Sequence, residues 1–330
     1  TVSNVETLTG GSTNDTVTFG GAVTGATVDL AGGNDRLTLA AAGGTVTASN
    51  VETVTGAAGT DVVTLATQAA GTRIDLAGGT DALTLGAFVN VATVSNVETL
   101  TGGSTNDTVT FAAQATGATV DLGAGLDKLT LGGFVNTVTV SNTETLIGGS
   151  TDDSVTLAAQ ATGMVVDLGV GLDKLTLGAF VNTVTVSNAE TITGGSTNDT
   201  VALATRVTTA VIDLGAGLDT LTLAAFVNTL TVSNVETLTG AASSDTVVLG
   251  AAVTGATIDL AAGNDSLTFA DQGATVTVSN IETITGGTAA DLVTFGAQAL
   301  SGAIDLGGGN DRLVLGAFVN TVTVSNVETV

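Results

Sequence analysis

Residues 15–19 read Asp-Thr-Val-Thr-Phe, which puts Val17 and Phe19 on one side of an extended chain and Thr16 and Thr18 on the other. Residues 36–39 alternate in the same way through Leu37 and Leu39, as does Thr-Val-Thr-Val-Ser-Asn at 183–188. A two-residue period rich in β-branched side chains, bounded by Gly and Asn-Asp, predicts strands. Helix starts are absent, and Gly and Thr are poor helix formers. One stretch is out of phase: in Val5-Glu-Thr-Leu8 the apolar residues stand three apart. A bend or bulge is expected there.

The strands recur. Ser-Asn-x-Glu-Thr begins at Ser3, Ser49, Ser95, Ser141, Ser187, Ser233, Ser279 and Ser325, a uniform step of 46 residues with no insertion. Such self-similarity signals a solenoid, propeller or array. Each period divides again, since Asp29 lies midway between Glu6 and Glu52. The expectation is two related coils per period, each of about 23 residues, and about 14 coils in all. A single coil cannot bury its apolar side, but stacked coils can. Val28, Ile74, Val120, Val166, Ile212, Ile258 and Ile304 share one position of the period, and Phe88, Phe134, Phe180, Phe226 and Phe318 share another. In this picture like stacks on like. The column headed by Asn4 and Asn50 then forms a hydrogen-bonded Asn ladder. The predicted fold is all-β, a β-solenoid of the parallel β-roll or β-helix kind, forming a single array over 1–330. A propeller has repeats of similar length but carries aromatic signatures and uneven loops that this sequence lacks. The last eight residues nearly copy the first eight, so the chain reads as seven periods cut from a longer array or as a unit built to join head to tail.

Composition narrows the function classes. The net charge of −25 and the lack of a basic run argue against nucleic acid and anionic lipid. With 43% apolar residues the chain is too hydrophobic for disorder. No uncharged stretch is long enough to span a bilayer as a helix, and the aromatic girdles of an outer-membrane barrel are missing. The sequence has no Cys and no His, which removes disulfides, thiolate metal sites and the usual nucleophilic triads. Carboxylate pairs could do acid–base work, but here they repeat evenly and form no single odd site. The chain therefore reads as non-catalytic.

Two turn glycines recur in every period, in columns headed by Gly10 and Gly33. Two Asp columns follow them: Asp15, Asp61, Asp107, Asp153, Asp199, Asp245 and Asp291, then Asp35, Asp81, Asp127, Asp173, Asp219, Asp265 and Asp311. Coils about 4.8 Å apart would set neighbouring carboxylates repelling by roughly 1 kcal/mol in water and about 3–4 kcal/mol at an effective dielectric of 20. Six Lys and Arg cannot offset 31 acids. A divalent cation between coils would relieve the repulsion, since Ca²⁺ accepts carboxylate and carbonyl oxygens. Acceptance of backbone N–H bonds within the turns is the alternative, as is repulsion that blocks strand-edge association.

Gly10-Gly-Ser-Thr-Asn-Asp-Thr-Val-Thr18 resembles the repeats-in-toxin nonapeptide G-G-x-G-x-D-x-U-x, with Thr13 at the third glycine. Residues 122–130 are similar to it through Gly123, Gly125, Asp127 and Leu129. The resemblance implies a calcium-loaded parallel β-roll of a secreted or bacterial surface protein, with the 14 Asp named above as calcium ligands. Here one such turn occurs in each half period rather than in direct tandem. The expected function is an extracellular structural array: a surface layer, fibre or adhesin stalk, self-associating head to tail, with cell-surface polysaccharide as a possible partner. The alternative is a binding module whose outward Thr rows, such as Thr16, Thr18, Thr108 and Thr110, face ordered water, ice or a glycan.

Overall fold

The computed structural model describes residues 1–330, apart from the side chains of Leu300 and Ser301. Among the described residues there are 35 short strands and no helix. The chain forms two compact units, Thr1–Gly171 and Leu172–Val330.

In the first unit, one 46-residue period holds five strands: β1 (Thr7–Thr9), β2 (Thr16–Thr18), β3 (Val23–Asp29), β4 (Arg36–Thr38) and β5 (Gly44–Ser49). The next period repeats them as β6 (Thr53–Ala57), β7 (Asp61–Leu65), β8 (Ala70–Ala77), β9 (Ala82–Thr84) and β10 (Val91–Ser95). Each strand pairs in parallel with the next but one. The series β1–β3–β5–β7–β9 builds one sheet, and β2–β4–β6–β8–β10 builds the other. A coil is therefore one strand from each sheet. Coils come in two lengths, a longer circuit, which sets Thr7 opposite Thr27 and Thr27 opposite Thr47, and a shorter one, which sets Thr47 opposite Thr64.

The parallel β-solenoid is the fold the pattern predicts, but the winding differs. Five strands per period on two sheets make two and a half coils, not the two longer coils expected. Equivalent strands of successive periods, such as β1 and β6, lie in opposite sheets, so equivalent positions of successive periods do not stack on one another. Val28 sits opposite Leu8 and Ala48, and Ile74 opposite Val54 and Val94. The cause is β3. Its inward residues Val23, Ala26 and Val28 are buried, but the alternation is broken at Gly25, where φ is 73° and the register shifts. That bulge hides the strand from a two-residue periodicity.

Two other columns are also resolved differently. Asn4, Asn50, Asn96 and Asn142 adopt the left-handed conformation, with φ of 50–53°, which Asn tolerates better than most residues. This turns the chain just before Val5-Glu-Thr-Leu8 and supplies the expected bend. The Asn amides do not stack as a ladder. Asn50 Nδ2 donates instead to Asp29 Oδ1 at 2.7 Å, and Asn96 to Asp75 likewise. Phe88 and Phe134 do not stack either. They stand in connections, roughly half exposed, each ring lying so close to Gly86 or Gly132 that a Cβ there would meet it at about 3 Å.

The second unit, taken by itself, follows the same plan. One parallel sheet runs from Lys174–Thr176 through Thr191–Thr193, Thr208–Asp213, Thr229–Ser233, Thr246–Leu249, Ser266–Thr268, Thr283–Thr285 and Leu300–Asp305 to Thr321–Ser325. The other runs from Thr183–Ser187 to Arg312–Val314.

Inside each unit the core is a column of small and medium aliphatics, and burying one Leu contributes about 1.5–3 kcal/mol. Leu129 is fully buried. Leu129→Ala is expected to cost about 2–5 kcal/mol, read as a lower urea midpoint by circular dichroism. Thr119→Ala, on the outer face, is expected to stay within about 0.5 kcal/mol.

Candidate functional site: stacked acid ladders

The two glycine turns nest on neighbouring coils. A Cβ on Gly102 would meet Leu122 O at 2.2 Å, and one on Gly125 would meet Thr105 C at 2.8 Å and Asp127 Oδ1 at 2.9 Å. Only glycine permits this approach. It brings Asp107, at the end of the first turn, beneath Asp127, at the end of the second.

The side chains then climb the stack. Asp107 accepts Asn90 N (3.0 Å) and Asn90 Nδ2 (2.8 Å) on Oδ1, and Gly103 N (2.9 Å) on Oδ2. Asp107 N donates to Asp127 Oδ1 at 2.6 Å, and Asp127 N donates to Glu144 Oε2 at 2.7 Å. The ladder Asn90–Asp107–Asp127–Glu144 thus crosses four successive coils. The first unit also carries Asp15–Asp35–Glu52 and Asp61–Asp81–Glu98. The second carries Asp199–Asp219–Glu236, Asp245–Asp265–Glu282 and Asp291–Asp311–Glu328. Asp153 accepts Asn136 N and Gly149 N, and Asp173 N donates to Glu190 Oε2. Except for Asp15, the predicted Asp residues are at most 2% exposed.

The structure therefore brings the two Asp columns together, though not as long rows of one residue. They meet as short ladders closed by a Glu, and within each unit the half-integral winding sends successive ladders to opposite edges. The Asp29 column is separate. Asp29, Asp75 and Asp121 accept the Asn amide of the next coil and a backbone N–H two residues on. At Asp305 the Asn326 amide, with Gly307 N, holds the carboxyl below its ordinary range.

The sequence pattern does not mark two contributors as rungs. One is the Glu of Ser-Asn-x-Glu-Thr, which reads only as a further acidic column. The other is the Asn of Ala-Phe-Val-Asn. Asn90 is fully buried. Its Nδ2 donates to Gly86 O, Phe88 O and Asp107 Oδ1, and its Oδ1 accepts Ala69 N. An Asn that recurs directly after three apolar residues is the signal that could have found it.

Backbone donors stabilise these carboxylates, since N–H bonds to a charged acceptor are the stronger kind. Some oxygens stay unsatisfied: Oδ2 of the inner Asp35, Asp81, Asp127, Asp219, Asp265 and Asp311, and Asp61 Oδ1, Asp245 Oδ2 and Asp291 Oδ2 of the first column, are buried without a partner. Burial raises the pKa of Asp127, Asp219 and Asp265 to about 6. The carboxylates on either side add to the rise, against the lowering effect of the backbone bond. Asp61, Asp245 and Asp291 are raised chiefly by burial.

Ca²⁺ takes six to eight oxygens at about 2.3–2.6 Å. Here the carboxylate oxygens face backbone N–H groups, and the remaining oxygen of each inner Asp is sealed. Among the described residues no group of three or more His, Cys, Asp or Glu is placed to hold a metal ion.

A carboxyl raised in the fold favours folding when protonated, so its contribution is present at low pH and is lost as pH rises through about 6. The thermal midpoint should therefore be higher at pH 5 than at pH 8. Asp127 is faced by Asp107 and Glu144, and Lys128 next to it is exposed. Asp127→Asn keeps the Oδ1 acceptor and removes the charge. It should stabilise by on the order of 1–2 kcal/mol at pH 8, by less at pH 5 and by little at about pH 3, below the unfolded value, measured by denaturation at the three pH values.

No family model matches this chain, and searches of curated proteins and of solved structures return no match either.

Proposed function

We propose that this chain is a non-catalytic structural scaffold of an extracellular or cell-surface assembly, a surface layer, fibre or stalk, that associates with its own copies. The observation that carries this reading is the recurrence of one ladder, Asp N–H to carboxylate across each coil step, at 2.6–2.8 Å in six places. A binding or catalytic centre is a local exception, whereas a repeated internal bond serves length and stiffness. The resemblance to repeats-in-toxin repeats supports secretion. In this reading the ladders use backbone donors, and calcium is not required for folding.

The test follows β-structure by circular dichroism and particle length by electron microscopy and sedimentation, in EDTA and in calcium, over a wide concentration range. The expected result is an unchanged β-signal in EDTA and particles that lengthen with concentration. Chains that remain single throughout would remove the self-association. Loss of β-structure in EDTA would restore calcium as a structural ligand.

A second reading, an ordered binding face, is favoured by one observation. Thr183, Thr200, Thr220, Thr237, Thr257, Thr277 and Thr294 lie opposite one another on adjacent strands of one sheet of the second unit. Their hydroxyls repeat at about 4.8 Å, a regular array for ordered water or an extended glycan. Thermal hysteresis that disappears in Thr220→Lys/Thr237→Lys would support it, and no hysteresis in the parent chain would remove the ice-binding form of the idea.

A further inference from the structure

In a chain this repetitive, the place where the repeat changes is informative. A cavity of about 220 Å³ opens in the first unit between the turn at 123–125, the Ser-Asn-Thr-Glu bend at 141–144 and the segment 157–164. The equivalent place in the first period holds a cavity of about 190 Å³ lined by Asn4, Val5, Glu6, Ala22, Val23 and Thr24. The groove thus occurs in at least these two periods, but its lining at 141–164 is distinct. Met164 is the only methionine of the chain, and the six equivalent positions hold Ala26, Thr72, Ala118, Ala210, Ala256 and Gly302. Thr143 stands where the other periods have Val5, Val51, Val97, Ala189, Val235 and Ile281. Both line the cavity and are buried, 3% and 6% exposed.

The lining has two characters. Leu157, Ala161 and Met164 make an apolar floor, and a thioether adapts to varied shapes. The wall carries acceptors. Glu144 is the one charged residue of the lining, and only its Oε2 is engaged by Asp127 N. Asn142 donates its Nδ2 to Asp121, which leaves its Oδ1 as an acceptor. No Lys or Arg lines the cavity, and the chain carries a net charge of −25, so an anion is repelled. The volume lies below the roughly 300 Å³ at which drug-sized sites begin, so the occupant is a fragment. We propose that this cavity binds a primary alkylammonium group, its charged head on Glu144 and Asn142 and its alkyl chain on Met164 and Leu157. The group is either a free amine or a lysine side chain presented by a partner.

Because Met164 is the single methionine of this sequence, its ¹³C-methyl resonance in the full chain reports on the cavity alone. Titration with n-butylammonium chloride should shift that resonance saturably. n-Pentanol should bind at least tenfold more weakly, sodium pentanoate should not bind, and ammonium chloride at the same ionic strength should leave the resonance in place. Glu144→Gln, which keeps an acceptor for Asp127 N, should weaken butylammonium at least tenfold. Thr143→Val and Met164→Ala carry residues that other periods use at these positions. They serve as folded controls, the first read by the same resonance and the second by calorimetry, and Met164→Ala should weaken binding. Acetyl-Gly-Lys-Gly-amide separates the sources: saturation at or below the butylammonium concentration assigns the site to a lysine side chain, and a response to the free amine alone assigns it to a small molecule. No saturable shift, equal response to pentanol, or unchanged affinity in both Glu144→Gln and Met164→Ala would overturn the proposal. None of these outcomes depends on self-association, so failure here leaves the scaffold reading standing.

Discussion

Five strands wound on two sheets cannot end a period on the sheet where it began, so each 46-residue repeat finishes half a coil out of phase with its start. This constraint organises everything else in each unit. It places β1 and β6 in different sheets although their sequences match, and it sets different positions of the period beside one another in the core. Leu8, Val28 and Ala48 lie in line, and their different volumes interdigitate instead of repeating one shape.

The same constraint controls the electrostatics. Had each period closed on a whole number of coils, the identical carboxylates of successive periods would have stood on one edge. The half coil divides them into ladders of two Asp and one Glu. Within a ladder the backbone supplies the compensation: Asp107 N and Asp127 N each point at the carboxylate of the following coil. The ladder therefore couples neighbouring coils through charge-assisted bonds, at the cost of buried carboxylate oxygens left without partners on both Asp rungs, as at Asp61 and Asp81. At Asp127, Asp219 and Asp265 the buried, partnerless Oδ2 and the raised pKa are two aspects of one environment, a carboxyl removed from water between two others of the same sign.

The glycines serve this arrangement. Gly102 and Gly125 allow two turns to approach to backbone contact, which sets the reach from one Asp to the next. Asn90, fully buried and bonded on every side, closes the lower end of its ladder and holds the Phe88 connection in place. In periods without this Asn a backbone N–H takes its place, as Ala274 N does on Asp291. The ladder survives because its essential donor is the main chain.

The sequence by itself determined the parallel β-solenoid, the 46-residue period, the inward face of strands such as Thr16–Thr18 and Arg36–Thr38, and the position of every turn Asp. These are local properties: alternation, β-branching, and Gly and Asn at turns act within a few residues. Only the tertiary structure decided which coil rests on which. Register depends on how many strands fit between equivalent positions, and the bulge at Gly25 concealed one of them. The Asp ladders, the role of Asn90 and the fate of the Phe column all follow from register. An expectation of like stacked on like was reasonable for two coils per period and fails for two and a half, because half a coil moves the same residue to the opposite edge.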